Sequence, residues 1–87
     1  MPYHKDKHIA FMHAQEGFRQ AQEAHGELVR DSADFGRQLS HLKQEVNEAY
    51  QQIENALETA GEIQRDNLEM FKADLAAIVE DVNQFEG

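Results

Sequence analysis

The chain has 87 residues, with 17 Asp or Glu against 8 Lys or Arg, a formal net charge of −9, five His, and no Cys or Trp. That length holds one small domain, 1–87, and the lack of Cys excludes a disulfide framework or a thiolate-held zinc or iron–sulfur centre. Excess acid speaks against a nucleic-acid partner, since phosphate contacts need clustered Lys and Arg, and the longest apolar run, the five residues Leu75 to Val79, falls far short of the ~18–20 that span a membrane.

The opening Met1-Pro2-Tyr3-His4-Lys5-Asp6 contains no apolar stretch of the kind found in secretory signals, so a cytoplasmic protein is expected. Ala, Glu and Gln dominate the composition, and all three favour helix. Val and Ile are few, and no run alternates apolar and polar residues as a half-buried strand would. The expected fold is all-α.

The first periodic segment runs through Phe11, Ala14, Phe18, Ala21, His25 and Leu28. Steps of three and four are the seam of a helix that packs on another helix. Ile9, Ala10 and Ala24 widen it, and Asp6 is placed to cap it or to lie in its first turn. A helix over 6–29 is expected. Gly17 and Gly26 lie inside it at about 1 kcal/mol each relative to Ala, and Gly26 is positioned to end it early.

Asp31-Ser32-Ala33-Asp34-Phe35-Gly36 clusters turn and cap residues and marks the clearest break, with Phe35 expected to fold over the end of the core. A second seam follows at Leu39, Leu42, Val46, Ala49, Ile53, Ala56 and Ala60, broadened by Tyr50 and Leu57. A third reads Leu68, Phe71, Leu75, Ile78, Val82 and Phe85.

The second and third seams share no single heptad frame. Continuing the second frame from Ala60 reaches Ile63 and Asn67, whereas the third seam starts at Leu68. The slip coincides with Thr59-Ala60-Gly61-Glu62, in which Thr and Glu three apart form the capping-box pattern of a new helix. Helices over 37–58 and 60–85 complete an antiparallel three-helix bundle. The alternative is a hairpin whose second helix is one long bent rod over 37–85, ~70 Å at 1.5 Å per residue. Half of that rod would need a second chain to cover it, so this form would dimerise.

Charge is uneven along the chain. Residues 1–43 are neutral overall and hold all five His, while 44–87 carry Arg65 and Lys72 against eleven acids. An antiparallel return sets the acidic half beside the neutral one and relieves self-repulsion.

Candidate chemistry is sparse. His4 and His8 are one helical turn apart, a spacing that metal sites use, with Asp6 and His13 nearby. A site needs three or four converging ligands, and terminal His are commonly solvated. His25 reads either as a buried pH switch or as a helix-edge His with one nitrogen hydrogen-bonded. His41, Glu45 and Glu48 share a face, but Glu-x-x-His, the signature of di-iron bundles, occurs nowhere, so the triplet reads as solvated. Ser40 and His41 are adjacent and point about 100° apart on a helix, so they form no nucleophile–base pair. The five Gly are isolated and make no phosphate loop. No catalytic residue and no cofactor is assigned, and an enzyme is not expected.

The acidic C-terminal half, from Glu45 and Glu48 through Glu62, Asp66 and Glu69 to Asp81, admits three readings. It keeps the protein soluble, docks a basic protein partner, or imitates DNA phosphates. The small core such a chain can bury favours self-association.

Val46-x-x-Ala49-Tyr50-x-x-Ile53 and Gln64-Arg65-x-x-Leu68 with Met70 behind it resemble the short YtzC-like proteins of spore-forming Bacillus relatives across residues 40–75. That resemblance implies a small helical bacterial protein and no activity. Secreted helical hairpins of the WXG type have a similar length, but their turn carries Trp-x-Gly where this chain has Phe35-Gly36. Their trailing Tyr-x-x-x-Asp/Glu is matched only by Tyr50-x-x-x-Glu54, inside a helix. The leading expectation is a non-enzymatic helical interaction or scaffold protein that self-associates. The rivals are a metal- or pH-responsive regulator built on the N-terminal His and a WXG-type secreted hairpin.

Overall fold

The computed structural model describes residues 3–29 and 31–86, with side chains over 8–29 and 31–84. Among these residues it contains three helices and no strand: α1, Tyr3–Gly26; α2, Phe35–Leu57; and α3, Glu62–Glu86. α1 begins at Tyr3, ahead of Asp6, so Asp6 lies inside the start of the helix and does not cap it; its side chain lies outside the described residues.

The direction of each helix follows from which residues meet. Gly17 of α1 lies against Ala49 of α2, and the Val29 N–H donates to Gln38 Oε1 at 2.9 Å across the turn between them. Phe11 and Phe18 of α1 both meet Phe71 of α3, while His25 meets Asp81. Lys72 pairs with Glu54, and Val79 and Val82 line one groove with Leu42 and Val46. α2 therefore runs antiparallel to α1 and α3, which point the same way. The antiparallel three-helix bundle forms and measures 50 × 18 × 15 Å. A single long helix over 37–85 does not form, because four non-helical residues separate Leu57 from Glu62.

The core follows the three seams. Ala14, Phe18 and Ala21 of α1, Leu42, Ala49 and Ile53 of α2, and Leu68, Leu75 and Val82 of α3 are all buried. α1 and α2 approach most closely because small residues face each other between them. A Cβ built on Gly17 would lie 3.3 Å from the Ala49 Cα, so any larger residue there requires α1 and α2 to give by a few tenths of an ångström. α3 packs less closely on both, with bulkier side chains such as Phe71 and Ile78 at its contacts.

Helix ends differ from expectation for local reasons. α1 stops at Gly26, and the chain turns as the Leu28 N–H donates to the His25 carbonyl at 3.3 Å. Asp34 is the N-cap of α2 through its carbonyl, which accepts from the Gln38 N–H at 2.9 Å. Ser32 Oγ accepts from the Asp34 N–H at 3.0 Å and fixes the preceding turn. Leu28 and Leu39 close that end of the core, with Phe35 half-buried at the start of α2.

The expected capping box is not used. The Thr59 N–H closes the end of α2 on the Ala56 carbonyl at 3.3 Å. Gly61 then opens α3, its carbonyl accepting from the Arg65 N–H at 2.8 Å. Glu62 becomes the first residue of α3, where its charge complements the positive end of the helix dipole. No helix among the described residues is long and apolar enough to cross a membrane.

Candidate functional site

The bundle distributes the histidines rather than gathering them. His8 and His13 are exposed on α1, and the His4 side chain lies outside the described residues, so the His4–His8 pair is not defined. No group of three or more His, Asp or Glu side chains able to hold a metal forms among the described residues.

His25 sits at the helix edge on the side of α1 that faces α3. Its Nε2 lies 2.7 Å from Asp81 Oδ2, with the side chains 34% and 38% exposed. A half-exposed pair of this kind ties the C-terminal ends of two parallel helices and contributes modestly to stability. The sequence showed a seam His but not its partner, because the register of α1 against α3 is a tertiary property.

His41 and Glu45 lie one turn apart on α2, with Nε2 and Oε2 separated by 3.8 Å. Glu48 is exposed, as the sequence suggested. Glu45 is not: its side chain is only 17% exposed, and Oε1 is buried with no hydrogen-bond partner. The cause is position. Glu45 is one turn before Ala49, which meets Gly17 of α1, so it lies on the flank of α2 nearest α1. The spacing from Ala49 was visible in the sequence; the narrowness of the gap was not.

Other charges pair on the surface. Arg19 donates to both Glu16 and Glu23 on α1, at 2.5 Å for the latter. The Arg19 hydrogen bond holds the Glu16 carboxyl below the usual carboxylate range, and Arg19 is raised in turn. Lys72 Nζ lies 3.0 Å from Glu54 Oε2 on α2, and that hydrogen bond, with the Glu54 charge, raises the lysine above its ordinary value.

Between α2 and α3 runs an open groove of about 250 Å³, lined by Leu42, Val46, Val79 and Val82 with Lys43 and Asn83. Shallower grooves flank Tyr50 and Glu54 on α2, and His13 and Gln20 near the α1–α2 seam.

The least expected feature lies on the outside of α3. Ile63 is 79% exposed and Met70 63% exposed, and both are spaced seven residues from the next exposed position of that row: Ile63, Met70, Ala77. Seven residues are nearly two helical turns, so the three share one face. Exposed Glu62, Asp66, Glu69 and Glu80 flank this row on one side, and exposed Asp74 on the other. The frame slip at Gly61 was the available signal. It takes Ile63 off the core seam that begins at Leu68 and leaves it facing outward.

No protein-family model, curated protein or solved structure matches the chain.

Proposed function

We propose that the chain is a non-enzymatic helical interaction module of the cytoplasm, which offers the outer face of α3 to a protein partner. One observation carries this reading: Ile63 and Met70 hold most of their side-chain surface in water, two turns apart on a helix whose other described large apolar residues, Leu68, Phe71, Leu75, Ile78, Val79 and Val82, are packed inward. Leaving such side chains hydrated forgoes about 25 cal/mol for each Å² of apolar surface, which a partner helix recovers on docking. A surface of this size suits a modest, reversible association. Self-association through the same face is the second reading, and the same apolar pair favours it. The carboxylates around the pair repel a second copy.

The test is capture on immobilised protein from an extract of the source cells, repeated with Ile63→Ser/Met70→Ser. A protein retained by the natural chain and lost with the double variant supports the reading. Equal retention by both, with both monomeric by sedimentation, rejects it.

A further inference from the structure

The outer face of α3 carries one heptad-spaced apolar row set among carboxylates, and those charges select what can cover it. Ile63, Met70 and Ala77 recur at seven-residue intervals, as one seam position of a heptad does. The companion seam position three residues on holds Asp66, Ala73 and Glu80, while Glu62 and Glu69 lie beside the seam on one edge and Asp74 on the other. Residues beside the seam are those whose charges set partner choice between packed helices.

The basic residues of α3 lie elsewhere. Lys72 is turned toward α2 and paired with Glu54. Arg65 is two residues from Ile63, about 160° round the helix at 100° per residue. The face thus carries an apolar row at Ile63, Met70 and Ala77 with exposed carboxylates beside and between its members.

From this we infer that the α3 face binds a basic amphipathic helix of another protein, with an apolar seam that meets Ile63 and Met70 and Lys or Arg beside it. The inference rests on the interaction reading above and names its partner chemistry. A second copy of this chain is the poorer occupant. Two α3 faces would set carboxylates against carboxylates, and like charges across a helix seam oppose pairing. The α1 half carries no net charge, and the exposed Arg19 is already engaged by Glu16 and Glu23. Ala77 and Ala73, both exposed, leave room for a partner to come close toward the C-terminal half of the seam.

Two synthetic peptides test this on the full chain. Both are helical, about three heptads long, with Leu and Ile at the seam; one carries Lys beside the seam and the other Glu. The Lys peptide is expected to bind, to shift backbone amide resonances around Ile63, Met70 and Ala77, and to weaken as salt rises from about 50 to about 500 mM. The Glu peptide is expected to bind at least about tenfold more weakly, and Ile63→Ser/Met70→Ser to lose about tenfold for the Lys peptide with the fold unchanged by circular dichroism.

Undiminished binding to the double variant overturns the inference, as does a response centred on another face. A dimer of the chain alone that the double variant abolishes also overturns the basic-helix assignment, but leaves an interaction role standing. Silence toward both peptides from a monomeric chain that also retains no partner from the extract removes both readings.

Discussion

The ring of Phe71 in α3 stacks on that of Phe18 in α1, with centroids 4.7 Å apart and planes inclined by 19°. Phe11 meets the same ring from one side at 6.2 Å. Three aromatic side chains thus form the joint between α1 and α3. Offset stacking of this kind adds about 0.5–1.5 kcal/mol beyond area burial. Phe71 is half-buried, so Phe71→Ala is expected to cost about 2–3 kcal/mol, at or just below the bottom of the usual range of about 3–5 for truncating a buried Phe. Urea denaturation measures it, and a double-mutant cycle with Phe18→Ala should return a coupling of about 0.5–1.5 kcal/mol. Additive losses would mean that the stacked geometry contributes nothing of its own.

The two glycines of α1 should respond in opposite ways. Nothing lies within 4 Å of a Cβ added at Gly26, so Gly26→Ala gains helix propensity freely and is expected to stabilise by about 0.5–1 kcal/mol. At Gly17 the same methyl meets the Ala49 backbone at 3.3 Å. Gly17→Ala is expected to yield no net gain, and Gly17→Leu to cost more than about 2 kcal/mol by forcing α1 from α2. Thermal or urea unfolding of the three variants decides the matter. A Gly17→Ala gain equal to that of Gly26→Ala would show that the helices yield easily.

Glu45 offers a stabilising substitution. Its Oε1 is buried without a partner, and an orphaned acceptor of this kind costs about 1–3 kcal/mol. Glu45→Met keeps the stem, removes the unsatisfied atom and lowers the negative charge. An increase of about 0.5–1 kcal/mol in unfolding free energy is expected from the same principle, with the contribution of His41 subtracted. A loss of stability would show that the carboxylate is better solvated than its surroundings indicate.

Much of this architecture could be read directly from the order of residues. The Leu42–Val46–Ile53 and Leu68–Leu75–Val82 seams are the buried stripes of α2 and α3, and the frame slip at Gly61 is where the chain breaks. The helix ends were less accessible because local signals compete. Thr59 and Glu62 spell a capping box, yet the amide of Thr59 is taken by Ala56, and Gly61 serves instead. The outward row on α3 and the burial of Glu45 were harder still. The burial of Glu45 depends on how near α1 and α2 come, which is set by Gly17 and Ala49 acting together and not by either sequence segment alone. Ile63 was visible as a residue out of frame, but its exposure follows only once Leu68 is fixed inside.

Acid titration should reveal the Arg19 clasp. Glu16 is held below the usual carboxylate range, chiefly by the Arg19 hydrogen bond. A carboxyl lowered on folding adds stability above its unfolded value, and that contribution is lost as pH falls through the folded one. The Glu16 side-chain resonance is expected to titrate at lower pH than that of an unpaired glutamate, and Arg19→Gln should return it to the ordinary range. Lys72 is raised, mainly by the Glu54 hydrogen bond, so the sign reverses: its contribution is present below the unfolded lysine value and is lost as pH climbs through the folded one. Glu54→Gln should bring the Lys72 titration back down.

Because α1 and α2 come almost backbone to backbone while α3 rests on longer side chains, the three rods are unequally fastened. The last of them is the one whose amides should take up deuterium first, in openings that leave the α1–α2 pair shut. It is also the rod that displays Ile63 and Met70. A ligand seated there would clamp the loosest part of the molecule, and its arrival would register as slowed exchange along α3 while the rest of the protein stayed silent.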